Sequence, residues 1–142
     1  MVFYSKSTEE TKEIGKKIAE MLETHGGNRK FIALRGEMGV GKTAFTAGFA
    51  GFFGIDGVRS PTYTVVNEYG TKNKIYHFDM YRITDGDDLY SIGYDDYLES
   101  GGYLIVEWSE NIQDYIPEDR ITVIIERVSE NEGHRRITVD LD

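Results

Sequence analysis

Apolar positions along this 142-residue chain fall into two rhythms that alternate with one another. Val2-Phe3-Tyr4 reads as a short opening strand. Ile14, Ile18, Met21 and Leu22 then recur at i, i+4, i+7 and i+8, the buried stripe of a helix. Ser7-Thr8-Glu9-Glu10 predicts its start as a capping box, with Ser7 capping and Glu10 three residues on, and His25-Gly26-Gly27-Asn28 predicts its end. Phe31-Ile32-Ala33-Leu34 is an uninterrupted apolar run, as a buried strand requires. A glycine-rich loop separates it from a second helix, opening near Ala44, carrying Phe45, Phe49, Phe52 and Phe53, and stopping at Gly54. Phenylalanines at that spacing read as core rather than as a base-stacking platform.

Downstream the rhythm becomes two-fold. Thr62 to Tyr69 alternates as a strand, and Gly70-Thr71-Lys72-Asn73 turns it into a second strand over residues 75–82. Asp85-Gly86-Asp87-Asp88 opens a short helix through Leu89 and Ile92, and residues 95–99 make another. Tyr103-Leu104-Ile105-Val106-Glu107-Trp108 is a second buried strand. Residues 121–128 and 136–141 form a closing hairpin around Asn131-Glu132-Gly133. No repeat, linker or low-complexity stretch interrupts the series. The expectation is one α/β domain over residues 1–142, a P-loop NTPase-like fold with a mixed sheet flanked by helices. Its parallel strands lie near the glycine-rich loop and its antiparallel hairpins elsewhere.

That loop carries the chemistry. Gly36-Glu37-Met38-Gly39-Val40-Gly41-Lys42-Thr43 fits the P-loop pattern G-x-x-x-x-G-K-[ST] in the strand–loop–helix setting the pattern needs. Glycines let the backbone curl its N–H groups inward from Glu37 to Ala44, and the helix N-terminus adds about half a positive charge. Lys42 would reach the β/γ-phosphates and the Thr43 hydroxyl would ligate Mg²⁺, which predicts ATP and Mg²⁺ as ligands. A turn that only joins strand to helix is the plain alternative.

A P-loop also needs an acid at the end of a neighbouring apolar strand, and two positions qualify. Glu107 ends the unbroken run Leu104-Ile105-Val106; Asp79 ends Ile75-Tyr76-His77-Phe78, which His77 interrupts. Composition favours Glu107 as the metal-linked acid, with Asp79 nearby to orient water or hold a mobile loop; either could instead cap a strand end. Ser60-Pro61-Thr62 occupies the place of a nucleotide-sensing loop, where Thr62 could read the γ-phosphate, or it could be a simple turn. Trp108 reads by default as core on the opposite strand face, with a partner-facing or site-lining aromatic as the alternative. His77 and the cluster Asp85, Asp87, Asp88 lack metal-ligand spacing and read as strand-face and helix-start residues.

Composition narrows the function further. Sixteen Lys and Arg against 25 Asp and Glu give a net charge of −9, which disfavours independent binding to nucleic acid. Lys72, Lys74, Arg82, Arg127, Arg135 and Arg136 could still gather into a local basic patch. With no cysteine there are no disulfides, thiolate metal sites or catalytic thiols. No signal-peptide pattern or bilayer-length apolar run is present, so the expected location is the cytoplasm, with no membrane partner. Asn73-Lys74-Ile75-Tyr76 lacks the aspartate of a guanine-specific motif. Arg59 and Arg82 are candidates for an arginine finger, but neither is obviously placed as one, so turnover without help is expected to be slow. A phosphotransferase acting on a small metabolite or a protein, and a nucleotide-binding structural module without turnover, are the competing readings.

The P-loop, Ser60-Pro61-Thr62-Tyr63, His77-Phe78-Asp79-Met80-Tyr81-Arg82 and Glu107-Trp108-Ser109-Glu110 together resemble the bacterial TsaE (YjeE) family. The likeness runs from the Ser7 helix to the Ile112 region. Met80 departs from the usual leucine and Ser109 from a common proline. What the resemblance implies is an ATPase of tRNA threonylcarbamoyladenosine modification, slow alone, that resets an assembly with TsaD and TsaB subunits between cycles. tRNA would then be held only indirectly, through those partners. By position it implies phosphate binding by Lys42, Mg²⁺ binding by Thr43 and Glu107, and a nucleotide-responsive region around Asp79 and Thr62. It also implies a functionally sensitive Trp108 and a place for Thr11 near the adenine. Arg82 is grouped with Thr62 and Trp108 as a partner or switch residue.

Overall fold

The computed structural model describes residues 1–61, 65–128 and 131–141. Its elements are β1 (Val2–Ser5), α1 (Thr8–His25), β2 (Phe31–Arg35), α2 (Lys42–Phe52), β3 (Val66–Tyr69) and β4 (Ile75–Asp79). They continue with α3 (Gly86–Ser91), α4 (Tyr94–Glu99), β5 (Tyr103–Glu107), a 3₁₀ segment (Ser109–Tyr115), β6 (Arg120–Arg127) and β7 (Arg135–Leu141). The seven strands form one sheet in the order β1-β7-β6-β2-β5-β4-β3. Its centre, β6-β2-β5-β4, is parallel, and antiparallel pairs close both edges. The mixed α/β sheet expected from the sequence is therefore what forms.

Both faces of the central strands are buried, which is why β2 and β5 read as unbroken apolar runs. On one face Ile32, Leu34, Ile105, Val123 and Ile125 pack under Ile14, Ile18 and Leu22 of α1 and Phe45 and Phe49 of α2. On the other, Phe31, Ala33, Phe78, Leu104 and Val106 pack under Leu89, Tyr94 and Ile112. Tyr97 lies edge-on to Phe78, with ring centroids 5.1 Å apart, and extends this second core. Phe45 and Phe49 are completely buried, and Phe52 and Phe53 lie partly buried against the same core, as their spacing predicted.

Ser7 caps α1 by accepting from the Glu10 N–H at 3.1 Å, but the return bond of the expected capping box lands one residue early. Glu10 Oε1 accepts from the Lys6 N–H at 2.9 Å instead of from Ser7. Helices α1 and α2 lie backbone against backbone. A Cβ on Gly48 would sit 1.9 Å from the Lys12 carbonyl oxygen, and one on Gly15 would sit 2.2 Å from that of Phe45. This contact ties the P-loop helix to α1.

Two strand ends differ from expectation. β4 stops at Asp79 rather than Arg82, because Asp79 Oδ1 accepts from the Tyr81 N–H at 2.9 Å and turns the chain. Asn111 holds that turn through the carbonyls of Met80 and Tyr81 at 2.9 and 3.1 Å. β5 stops at Glu107, since Trp108 takes the left-handed conformation at φ 60° and leaves the strand. The strand expected from Thr62 is seen from Val66, and Thr62 to Thr64 fall outside the described residues. Among the described residues no helix is long and apolar enough to cross a membrane.

Candidate functional site

Because β6, β2, β5 and β4 run parallel, their C-terminal ends share one edge of the sheet, the usual place for a ligand crevice in such folds. The P-loop follows β2, Asp79 ends β4, Glu107 ends β5 and Arg127 ends β6. Register pairs Asp79 with Glu107 and Leu34 with Glu107, so the three segments meet in adjacent rows.

The loop is shaped by its glycines. Gly41, which precedes the first residue of α2, has φ 119°, and Gly36 combines φ 155° with a Cβ position only 2.7 Å from the Ile125 carbonyl oxygen. Val40, 2% exposed, anchors the loop in the core while Glu37, Met38 and Gly39 stay exposed. Two arginines brace it from the closing hairpin. Arg135 Nε donates to the Val40 carbonyl at 2.7 Å, and Arg127 donates to Glu37 Oε2 at 2.8 Å and to the Met38 carbonyl at 3.3 Å.

Lys42 is held inward. Its ammonium donates to the Gly36 carbonyl at 2.7 Å and lies 3.2 Å from Glu107 Oε1. Glu107 Oε2 in turn lies 2.6 Å from His77 Nε2. Burial pushes the Glu107 carboxyl up, but the His77 hydrogen bond and the Lys42 charge outweigh it and hold the group below its ordinary value. A carboxylate in this environment stays ionised at neutral pH. Thr43, at the start of α2, places Oγ1 2.6 Å from the Ser60 hydroxyl, and Ala44 follows it in the same turn.

The structure thus brings Lys42 and Glu107 together, with Thr43 following Lys42 at the start of α2 and Asp79 ending the strand beside Glu107. Thr11 is buried beneath the loop, its hydroxyl 2.7 Å from Ser5 Oγ and its methyl 3.7 Å from the Cβ position of Gly41. Trp108 is 42% exposed and lies edge-on to exposed Tyr81 at 4.9 Å between ring centroids, so the default expectation of a buried strand tryptophan is corrected. The left-handed turn at Trp108 is the physical reason, since strand alternation ends one residue earlier. Arg82 is exposed beside Tyr81. Thr62 lies outside the described residues.

The six basic residues considered as a patch separate. Arg127 and Arg135 serve the P-loop, Arg136 pairs with Glu126 at 3.1 Å, and Lys72 and Lys74 line a distinct recess with Lys30 and Glu23. Against the P-loop a recess of about 420 Å³ is bounded by Gly39, Arg127, Asn131, Gly133 and Arg135.

Among the described residues no three His, Asp or Glu side chains gather as a metal cage. Mg²⁺ does not require one, because it is commonly held by one or two protein oxygens together with substrate phosphates and water. The Thr43 hydroxyl and the Glu107 carboxylate are hard oxygen donors of that kind, and they fit.

The family model for "Threonylcarbamoyl adenosine biosynthesis protein TsaE" matches residues 5–137. The chain belongs to the TsaE family. Relatives described as tRNA threonylcarbamoyladenosine biosynthesis protein TsaE include one from Haemophilus influenzae, 43% identical over 115 residues, covering 79% of this chain and 73% of that one. The Bacillus subtilis relative is 37% identical over 92% of this chain and 78% of its own, and the Aquifex aeolicus relative is 38% identical over 92% and 90%. The crystal structure of Bacillus subtilis YdiB superposes with a TM-score of 0.75 at 29% identity, covering 99% of this chain and 84% of that one. The family resemblance seen in the motif blocks is thereby established, and with it a place in tRNA threonylcarbamoyladenosine biosynthesis.

Several residues of the TsaE site were not visible as such in the sequence. Arg127 and Arg135 touch the P-loop across about ninety positions of chain. The sequence marks Ser60 as part of the candidate sensing loop, but not its contact with Thr43, 17 residues away. His77 had one usable signal, an imidazole inside an otherwise apolar strand two residues before Asp79.

Proposed function

We propose that this chain is a Mg²⁺-dependent ATPase that drives turnover of an assembly with TsaB and TsaD partners in the cytoplasm. The observation that carries the reading is the cluster at the sheet edge, where Lys42 Nζ lies 3.2 Å from Glu107 Oε1 at the mouth of a glycine-shaped loop. An arriving triphosphate draws the ammonium away from Glu107 towards its own oxygens, which frees that carboxylate oxygen. Thr43, on the first turn of α2, and Glu107 would hold Mg²⁺, which when bound would supply charge neutralisation on the phosphates.

The chain's own part is positioning and electrostatics. P-loop N–H groups and the α2 N-terminus hold the phosphates, and the arginine braces keep Val40 and Met38 in place. Asp79 orients the attacking water from the adjoining strand. The adenine occupies the recess bounded by Gly39, Asn131 and Arg135, next to the Ser5–Thr11 pair, since Arg135 is Ser5's partner in the β1–β7 register. Arg127 and Arg135 are already engaged with the loop, so neither is free to serve as a cis arginine finger, and unassisted hydrolysis is slow. A finger supplied by a partner can be worth a factor of about 10³–10⁵. The exposed Tyr81–Trp108 pair adjoins Glu107 and faces such a partner, which holds the tRNA in place of this acidic chain.

Calorimetric titration tests the ligand part of this reading. ATP binding is expected to tighten with Mg²⁺ and to fall at least tenfold in Lys42→Ala. Equal affinity in wild type and Lys42→Ala would place the nucleotide elsewhere and contradict it.

A further inference from the structure

Completely buried on β4, His77 is the residue whose Nε2 lies 2.6 Å from Glu107 Oε2. Its second ring nitrogen, Nδ1, is also buried and has no hydrogen-bond partner among the described residues. A purely apolar side chain would fill that interior without leaving a polar atom unpaired. The imidazole is therefore kept at a cost in unsatisfied hydrogen bonding, and the one bond it makes goes to the site.

Hydrogen-bond accounting also fixes its direction. A carboxylate oxygen only accepts, so in the 2.6 Å contact Nε2 is the donor and Glu107 Oε2 the acceptor. The bond divides the work of the Glu107 carboxylate between its two oxygens, with Oε2 on His77 and Oε1 on Lys42 at 3.2 Å.

Resting on the Mg²⁺–ATP reading of this site, we propose that His77 is the positioning residue of the metal-linked acid. When phosphate oxygens draw Lys42 away, Glu107 loses one of its two partners. His77 keeps the other oxygen fixed, so Oε1 faces the metal side of the P-loop. Without His77 the long glutamate side chain is free to turn Oε1 away from the metal side of the P-loop. His77 itself touches neither phosphate nor metal. Groups that orient a metal ligand from behind typically change metal affinity by about 10–100-fold when removed.

The test compares ATP affinity in Mg²⁺ and in EDTA for wild type, His77→Phe and His77→Gln. In His77→Phe the tightening produced by Mg²⁺ is expected to shrink roughly tenfold or more, while affinity in EDTA stays within about twofold. His77→Gln, whose amide N–H can reach towards Glu107, is expected to recover part of the tightening. An unchanged Mg²⁺ effect in His77→Phe, or equal losses with and without the metal, would overturn the proposal, the second because it marks a structural role only. Wild type that shows no Mg²⁺ effect would overturn the ATPase reading and this inference together. If His77→Phe does not fold, ¹⁵N NMR of the wild-type imidazole decides. A proton on Nε2 supports the donated bond to Glu107, and an Nε2 without a proton overturns it.

Discussion

Glu107 shows how one residue links stability to chemistry. Its carboxyl is held below the ordinary value of 4.5 because the His77 bond and Lys42 charge outweigh burial. The unfolded chain therefore takes up a proton at a pH where the folded chain does not, so folding stability falls as the medium becomes acidic. The Glu107 contribution is complete above about pH 4.5 and is lost as the pH falls through the lowered native value. Asp88, lowered by the backbone and side-chain hydrogen bonds of Thr84, adds to the same acid limb. Subtracting variant from wild type isolates Glu107: urea unfolding of Glu107→Gln across the acid range is expected to show a shallower dependence on pH. A dependence equal to wild type would mean that the carboxylate gains nothing from its two partners. At this scale the P-loop and Glu107 were legible because their signals are local, glycine spacing in one case and an apolar run ended by an acid in the other. His77 was not, since its partner lies 30 residues away on another strand.

At the scale of elements, the close α1–α2 contact makes an opposed pair of predictions. Gly48→Ala drives a methyl into the Lys12 carbonyl, with a 1.9 Å approach that rigid backbone cannot yield cheaply. Overpacking of this kind costs about 1–3 kcal/mol. Gly51, on the same helix, has nothing within 4 Å of its Cβ position, so Gly51→Ala is expected to stabilise by about 0.5–1 kcal/mol through helix propensity alone. Denaturant midpoints measure both, and equal effects in the two variants would contradict the packing argument. The helices and most strands were legible from their periodicity and caps. The ends of β4 and β5 were not, because tertiary bonds set them. The Asn111 side chain fixes the turn after Asp79 from across the chain, and the left-handed Trp108 has no local sequence signature.

For the whole molecule, parallel pairing of β6, β2, β5 and β4 gathers the P-loop, Asp79, Glu107 and Arg127 on one edge. The mixed sheet was readable from alternating helical and strand rhythms, whereas the strand order, and with it the arrival of Arg127 and Arg135 beside the P-loop, depended on pairings distant in sequence. A net charge of −9 and the dispersal of its arginines disfavour direct tRNA binding. They leave the proposed nucleotide site with two exposed aromatic neighbours, Tyr81 and Trp108, as the surface the proposal offers to a protein partner. The decisive measurement is phosphate release from ATP by the purified chain, alone and with TsaB and TsaD, beside Lys42→Ala and Glu107→Ala. Slow release that rises by at least tenfold with the partners, and disappears in both variants, is the predicted result. Release that is indifferent to the partners, or that survives in Lys42→Ala, would contradict a partner-driven ATPase built on this site.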